Sequence, residues 1–180
     1  MSYLKYFVTA SIAMLLTLGA IAQKQFPVIN KDILFQQIDQ DTTRARFFMV
    51  VSFVNYCQGV ADINPDIKML DSITNHQTRY FLCQASRGKD DRGEYLEKVL
   101  KHYGIDERTV YLIDDQKYKT EKKDPRKQGA AFRNDLCSSC SLYSVISGTF
   151  YIIFDKEKNI LFSGFMLHDK QLSAILTCNK

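Results

Sequence analysis

Eight consecutive residues, Phe47-Phe48-Met49-Val50-Val51-Ser52-Phe53-Val54, carry one polar side chain between them. A run of aromatic and β-branched residues like this suits a strand buried on both faces, which arises where helices cover a largely parallel sheet. The neighbouring segment agrees. Past a turn over residues 55–59, apolar residues at Val60, Ile63, Ile67, Leu70 and Ile73 recur every three or four positions and predict an amphipathic helix. Pro65 lies inside that helix and is expected to kink it, because it removes a backbone bond and crowds the preceding turn.

The alternation continues to the C-terminus. Residues 79–85 read as a strand and 93–103 as a helix with Tyr95, Leu96, Val99, Leu100 and Tyr103 on one face, stopped by Gly104. A third strand is expected over 109–113, and the basic stretch 116–128 reads as a solvated loop. A short helix is expected over 132–143, then strands at 149–154 and 159–165 joined by an Asp155-Lys156-Glu157-Lys158 turn, then a helix over 170–176. Residues 23–46 are polar and irregular apart from a helical stretch at 32–38. The order predicts an α/β fold, a three-layer sandwich with a central mixed sheet and helices on both faces.

The N-terminus has the pattern of an export signal. One positive charge, Lys5, precedes an apolar stretch from Tyr6 to Gly19, and Ala20 and Ala22 offer the small residues that a signal peptidase accepts before Gln23. The stretch is shorter than the ~20 residues a bilayer span requires, so no stable membrane span is expected after cleavage. The expected organisation is a signal peptide over 1–22, an N-terminal extension over 23–45 and one domain over 46–180. The domain has the length of an ordinary folding unit, able to hold itself together without disulfide staples. The net charge of +4 is too small to argue for nucleic acid.

Five cysteines, at 57, 83, 137, 140 and 178, would enter an oxidising periplasmic or extracellular compartment where disulfides persist. Their odd number leaves at least one free or intermolecularly bonded. Cys57 succeeds the buried strand and opens the first helix, where unpaired amides favour the thiolate and hence nucleophilic attack. The alternative is an inert cysteine held at a position that no longer works. Cys137 and Cys140 are spaced to lie on one side of a helical turn, and Asp135 is expected to cap that helix, putting Cys137 near its N-terminus. The pair can be a reversible disulfide or a static one. A structural metal is disfavoured because four ligands are needed and no second pair stands at suitable spacing. Cys83 reads as a buried small hydrophobe and Cys178 has no assigned role. His76, His102 and His168 read as surface residues.

The segment Phe53-Val54-Asn55-Tyr56-Cys57-Gln58-Gly59-Val60, with Pro65 behind it, resembles the active-site turn of thioredoxin-like proteins, and in particular the thiol–disulfide oxidoreductases of the bacterial cell envelope. Tyr143 to Thr149, running into the strand ending at Asp155, is similar to the later active-site loop of that group. The resemblance spans about residues 45 to 177 and implies a thioredoxin-like fold. It also implies Cys57 as attacking nucleophile on a disulfide or peroxide, supported by Tyr56, Pro65 and Thr149, with protein thiols or disulfides as partners and no cofactor. Two departures stand out. Val60 occupies the place of the resolving cysteine, and Thr149 that of a cis-proline. Ordinary dithiol release of a mixed disulfide then lacks its second thiol. Cys137 or Cys140 offers a relocated resolving group. The competing reading is a non-catalytic thioredoxin-fold binding module. Copper delivery is a weaker third, since its relatives use a Cys-x-x-x-Cys turn that this chain lacks.

Overall fold

A computed structural model describes residues 26–54, 59–85, 94–120, 124–143 and 148–178. The expected signal peptide, together with Tyr56 and Cys57, lies outside those residues.

Among the described residues six strands form one sheet in the order β1-β4-β3-β2-β5-β6. β2 (Phe47–Val54) is central and buried along its whole length, as its unbroken apolar run requires. It pairs in parallel with β3 (Thr78–Ala85), which pairs in parallel with β4 (Val110–Ile113). On its other side β2 pairs antiparallel with β5 (Phe150–Phe154), and β5 antiparallel with β6 (Ile160–Gly164). The mixed sheet predicted from the closing hairpin is therefore present.

Helices cover both faces. α1 (Lys31–Asp39) and α4 (Pro125–Leu136) pack on one, where Leu34, Ile38, Phe132 and Leu136 meet Phe48, Val50, Phe81, Cys83, Phe150 and Ile152. α2 (Val60–Thr74), α3 (Glu94–His102) and α5 (Asp169–Cys178) pack on the other, against Met49, Val51, Phe53, Leu82, Tyr151 and Ile153. Strand residues alternate between the two cores, as side chains on a pleated strand must. Tyr151 on β5 donates its hydroxyl to Asp66 of α2, and Tyr80 on β3 donates to Asp71 of the same helix.

Four local expectations are corrected. The stretch before Phe47 is structured: β1 (Val28–Ile29) extends the sheet beside β4, and Asn30 caps α1 by accepting from the Ile33 amide at 3.1 Å. A two-residue strand leaves too short a pattern to read by periodicity. The basic stretch is not simply a solvated loop. Lys117 bridges Asp32 at 2.7 Å, Tyr118 is buried with its hydroxyl on Asp135 at 2.7 Å, and α4 already starts at Pro125 behind the Asp124 cap. Tyr95 is exposed rather than shared with the core face of Leu96 and Leu100. Finally, Asp135 does not start a helix; it lies in the last turn of α4, and Cys137 is the C-cap, its amide bonded to the Arg133 carbonyl at 2.8 Å.

Candidate functional site

The four residues between β2 and Gly59 hold Cys57 and Tyr56, and the described chain frames them on both sides. β2 ends at Val54 at the carboxyl edge of the parallel strands, and α2 is capped by Gly59 in ordinary helical conformation. Thr149 packs directly on that cap. A Cβ placed on Gly59 would stand 2.5 Å from Thr149 Oγ1 and 3.2 Å from its Cβ. The start of α2 and Thr149, the residue preceding β5, therefore meet at one corner. Thr149 is buried, and its hydroxyl has no hydrogen-bond partner among the described residues.

Val60, where a resolving thiol would stand, is fully buried in the core beneath α2. Pro65 lies exposed within α2, which continues through it to Thr74 as one helix.

Cys137 and Cys140 are joined in a disulfide with their Cα atoms 5.3 Å apart. Both are buried, at 1% and 4% exposure, in the core beneath α4, where a 3₁₀ turn (Ser138–Tyr143) succeeds the helix. Cys137 therefore sits at the carbonyl end of α4. The partial negative charge there disfavours a thiolate, opposite to the N-terminal placement expected from Asp135. Asp135 is instead occupied by Tyr118, Lys31 and Lys117. Although burial by itself would raise the Asp135 pKa, these partners hold it below the ordinary carboxylate value.

Cys83 is a free cysteine. It is completely buried in β3, its thiol directed at the Phe81 carbonyl and its pKa driven up by burial. Such a thiol is inert towards disulfides. His76 lies exposed beside Asp71, at 3.6 Å. Among the described residues no group of three or more His, Cys, Asp or Glu is arranged to hold a metal ion, and no helix is long and apolar enough to cross a membrane.

Sequence reasoning missed three buried polar residues, which lie on both faces of the sheet. Arg133, Ser52 and Gln84 are buried polar side chains with atoms that lack a hydrogen-bond partner among the described residues. A helix position at Arg133 reads as surface from sequence alone; the one mark in the sequence is the lone serine in the apolar run of β2.

No protein-family model matches the chain, and no curated protein does. Among solved structures, the chain is similar to the thioredoxin domain of a thiol-disulfide oxidoreductase from Bacteroides vulgatus, at 11% identity over 76% of this chain and 80% of that one, with a TM-score of 0.43. It is also similar to a thioredoxin-like protein from Aeropyrum pernix, at 12% identity over 94% and 98% of the two chains, with a TM-score of 0.44. In its own strand order, its parallel β2-β3-β4 half, its antiparallel closing hairpin and its two helical layers, the chain has a thioredoxin-like α/β fold.

Proposed function

We propose that the chain is an exported thiol redox protein in which Cys57 exchanges disulfides with protein partners in the cell envelope. The observation that carries this reading is the contact of Thr149 on Gly59, which joins the end of the Cys57 turn to the residue before β5. A cysteine that precedes a helix start is favoured as thiolate by the unpaired amides there.

The exchange balances in atoms and electrons. The Cys57 thiolate attacks one sulfur of a partner disulfide; a Cys57–partner bond forms and the second partner sulfur leaves as a thiolate, which takes a proton from water. A thiolate of the reduced Cys137/Cys140 pair then attacks Cys57 and expels the first partner sulfur. The remaining cysteine of the pair displaces Cys57, leaving a Cys137–Cys140 disulfide, the bond present in the structure. Two electrons pass from the pair to the partner, and an external dithiol resets the pair. Because both cysteines of the pair are buried, this relay demands that the 3₁₀ turn after α4 open.

Proteolysis under non-reducing conditions after mild oxidation, read by mass spectrometry, tests the relay. A peptide linking Cys57 to Cys137 or Cys140 is expected. If Cys57 never bonds to either, the relay fails. Export predicts that the secreted protein begins at Gln23, which N-terminal sequencing reads directly.

The full burial of Val60 and of both cysteines of the pair favours a second reading, a binding module of thioredoxin-like fold with a static disulfide. Disulfide-exchange activity that is present in the wild type and lost in Cys57→Ser rules that reading out.

A further inference from the structure

The first turn of α1 grips the last turn of α4 by both backbone and side chain. Lys31 Nζ donates to the Asp135 carbonyl at 2.7 Å and stands 3.8 Å from Asp135 Oδ1. That carbonyl is one of the last four of α4, which lack an intrahelical donor, and an ammonium is a favourable partner at the negative end of a helix. Tyr118 closes the grip: its hydroxyl donates to Asp135 Oδ2 at 2.7 Å and accepts from the Lys31 amide at 3.2 Å. Lys117 bridges Asp32 of the same first turn at 2.7 Å and Asp135 at 3.4 Å. Asn30, the α1 cap, donates to Asp114 at 3.1 Å, and Leu34 and Ile38 anchor the helix in the core behind.

Cys137 lies two residues past Asp135. Its amide is bonded to the Arg133 carbonyl at 2.8 Å, and the Cys140 amide to the Cys137 carbonyl at 3.0 Å, so hydrogen bonding runs unbroken from α4 into the disulfide loop. Both cysteines are buried, and a reductant must reach one of their sulfurs to break the bond. Lifting the loop therefore pulls on the turn of α4 that α1 holds.

We propose that the first turn of α1 is a clasp on the Cys137–Cys140 disulfide, and that the pair is reduced only when Lys31 and Tyr118 release Asp135. The opening is local: the disulfide loop and the last turn of α4 lift while the sheet stays paired. A thiolate of a dithiol reductant then attacks one sulfur, the S–S bond breaks, and the other cysteine leaves as a thiolate that takes a proton from water. The second thiol of the reductant gives up its proton, displaces the first cysteine and closes the reductant's own disulfide, so two electrons pass to the pair. The clasp concerns the pair alone and holds whether or not Cys57 draws electrons from it.

Reduction of the native protein by excess dithiothreitol tests it, sampled in time by alkylation and mass spectrometry of the peptide that carries Cys137 and Cys140. The wild-type pair is expected to reduce at least about tenfold more slowly than in urea-unfolded protein. Lys31→Met keeps an apolar stem and removes the ammonium; it should speed reduction by about three- to tenfold, the range for one hydrogen bond to a charged group partly open to solvent. Tyr118→Phe keeps the ring against Phe132 and removes the hydroxyl; it should speed reduction by at least about threefold, and it decides alone if Lys31→Met does not fold. Tyr151→Phe loses a hydrogen bond in the opposite layer and should reduce at the wild-type rate, whereas general destabilisation would speed all three variants. Wild-type reduction as fast as in the unfolded chain, an unchanged rate in a folded variant of Lys31 or Tyr118, or an equal acceleration in Tyr151→Phe overturns the proposal.

Discussion

Asp66 shows how a single titrating residue couples the α2 face to the sheet. Its carboxylate accepts the Tyr151 hydroxyl, yet partial burial raises its pKa above the ordinary 3.8; the Tyr151 bond works against that rise and the nearby Asp62 adds to it. A carboxyl whose folded-state pKa is raised contributes stability that is complete below its unfolded value and is lost as pH climbs through the folded value. Asp66→Asn keeps an acceptor for Tyr151 and removes the charge. The variant should therefore be more stable than wild type at pH 7, by less than about 1 kcal/mol because the site is half open to solvent, and the gain should vanish by pH 3. Urea midpoints of both proteins across that range measure it; a larger gain in acid than at neutrality would reverse the sign. The sequence shows Tyr151 and Asp66 as an apolar-run tyrosine and a helix acid, and no local pattern links residues that far apart. The same holds for Arg133, whose burial depends on how closely α4 approaches β2.

At the scale of elements, strand and helix order was legible because each element carries its own periodicity: the unbroken run of β2, the three-to-four spacing of α2, the alternation in the hairpin. Helix ends were less legible. α4 starts seven residues before the expected position at 132, since Asp124 and Pro125 together make a cap and first turn inside a stretch that charge alone marks as loop. That shift turns Cys137 from a residue near a helix N-terminus into a C-cap, and with it the electrostatics of the pair. The junction of α2 with the residue before β5 yields a direct prediction. Gly59 has φ of −62°, so alanine there meets no backbone strain, only Thr149. Gly59→Ala should cost about 1–3 kcal/mol through that overlap, and the penalty should shrink in a Thr149→Ala background, where the offending Oγ1 is gone. A double-mutant cycle of unfolding free energies reads the coupling. Equal penalties in both backgrounds would mean the contact is not what sets the cost.

For the whole molecule, β1 and α1 matter more than their short pattern suggests. β1 closes the edge beside β4, with the Leu112 amide bonded to the Pro27 carbonyl at 2.8 Å, and Ile29, Leu34 and Ile38 complete the core under α4. Each such side chain is worth about 1.5–3 kcal/mol on burial, so losing all three removes an amount comparable to the ~5–15 kcal/mol by which domains are stable. A chain that starts at Asp41 is expected to lose cooperative unfolding, seen as a collapsed amide dispersion in NMR; a sharp transition retained in that truncation would show β1 and α1 to be dispensable.

The kind of sheet and the succession of its elements are written in the chain itself, because hydrophobic period and turn chemistry are local properties that survive without tertiary context. A resemblance to a known active-site pattern also leads to the expectation that the Cys57 turn and Thr149 stand together. It takes the folded molecule to seat Thr149 on Gly59, to bond and bury Cys137 and Cys140 at the carbonyl end of α4, and to bury Arg133 over Phe150. Those outcomes depend on the distance between elements far apart in the chain, and burial, charge pairing and bond formation are set by that distance.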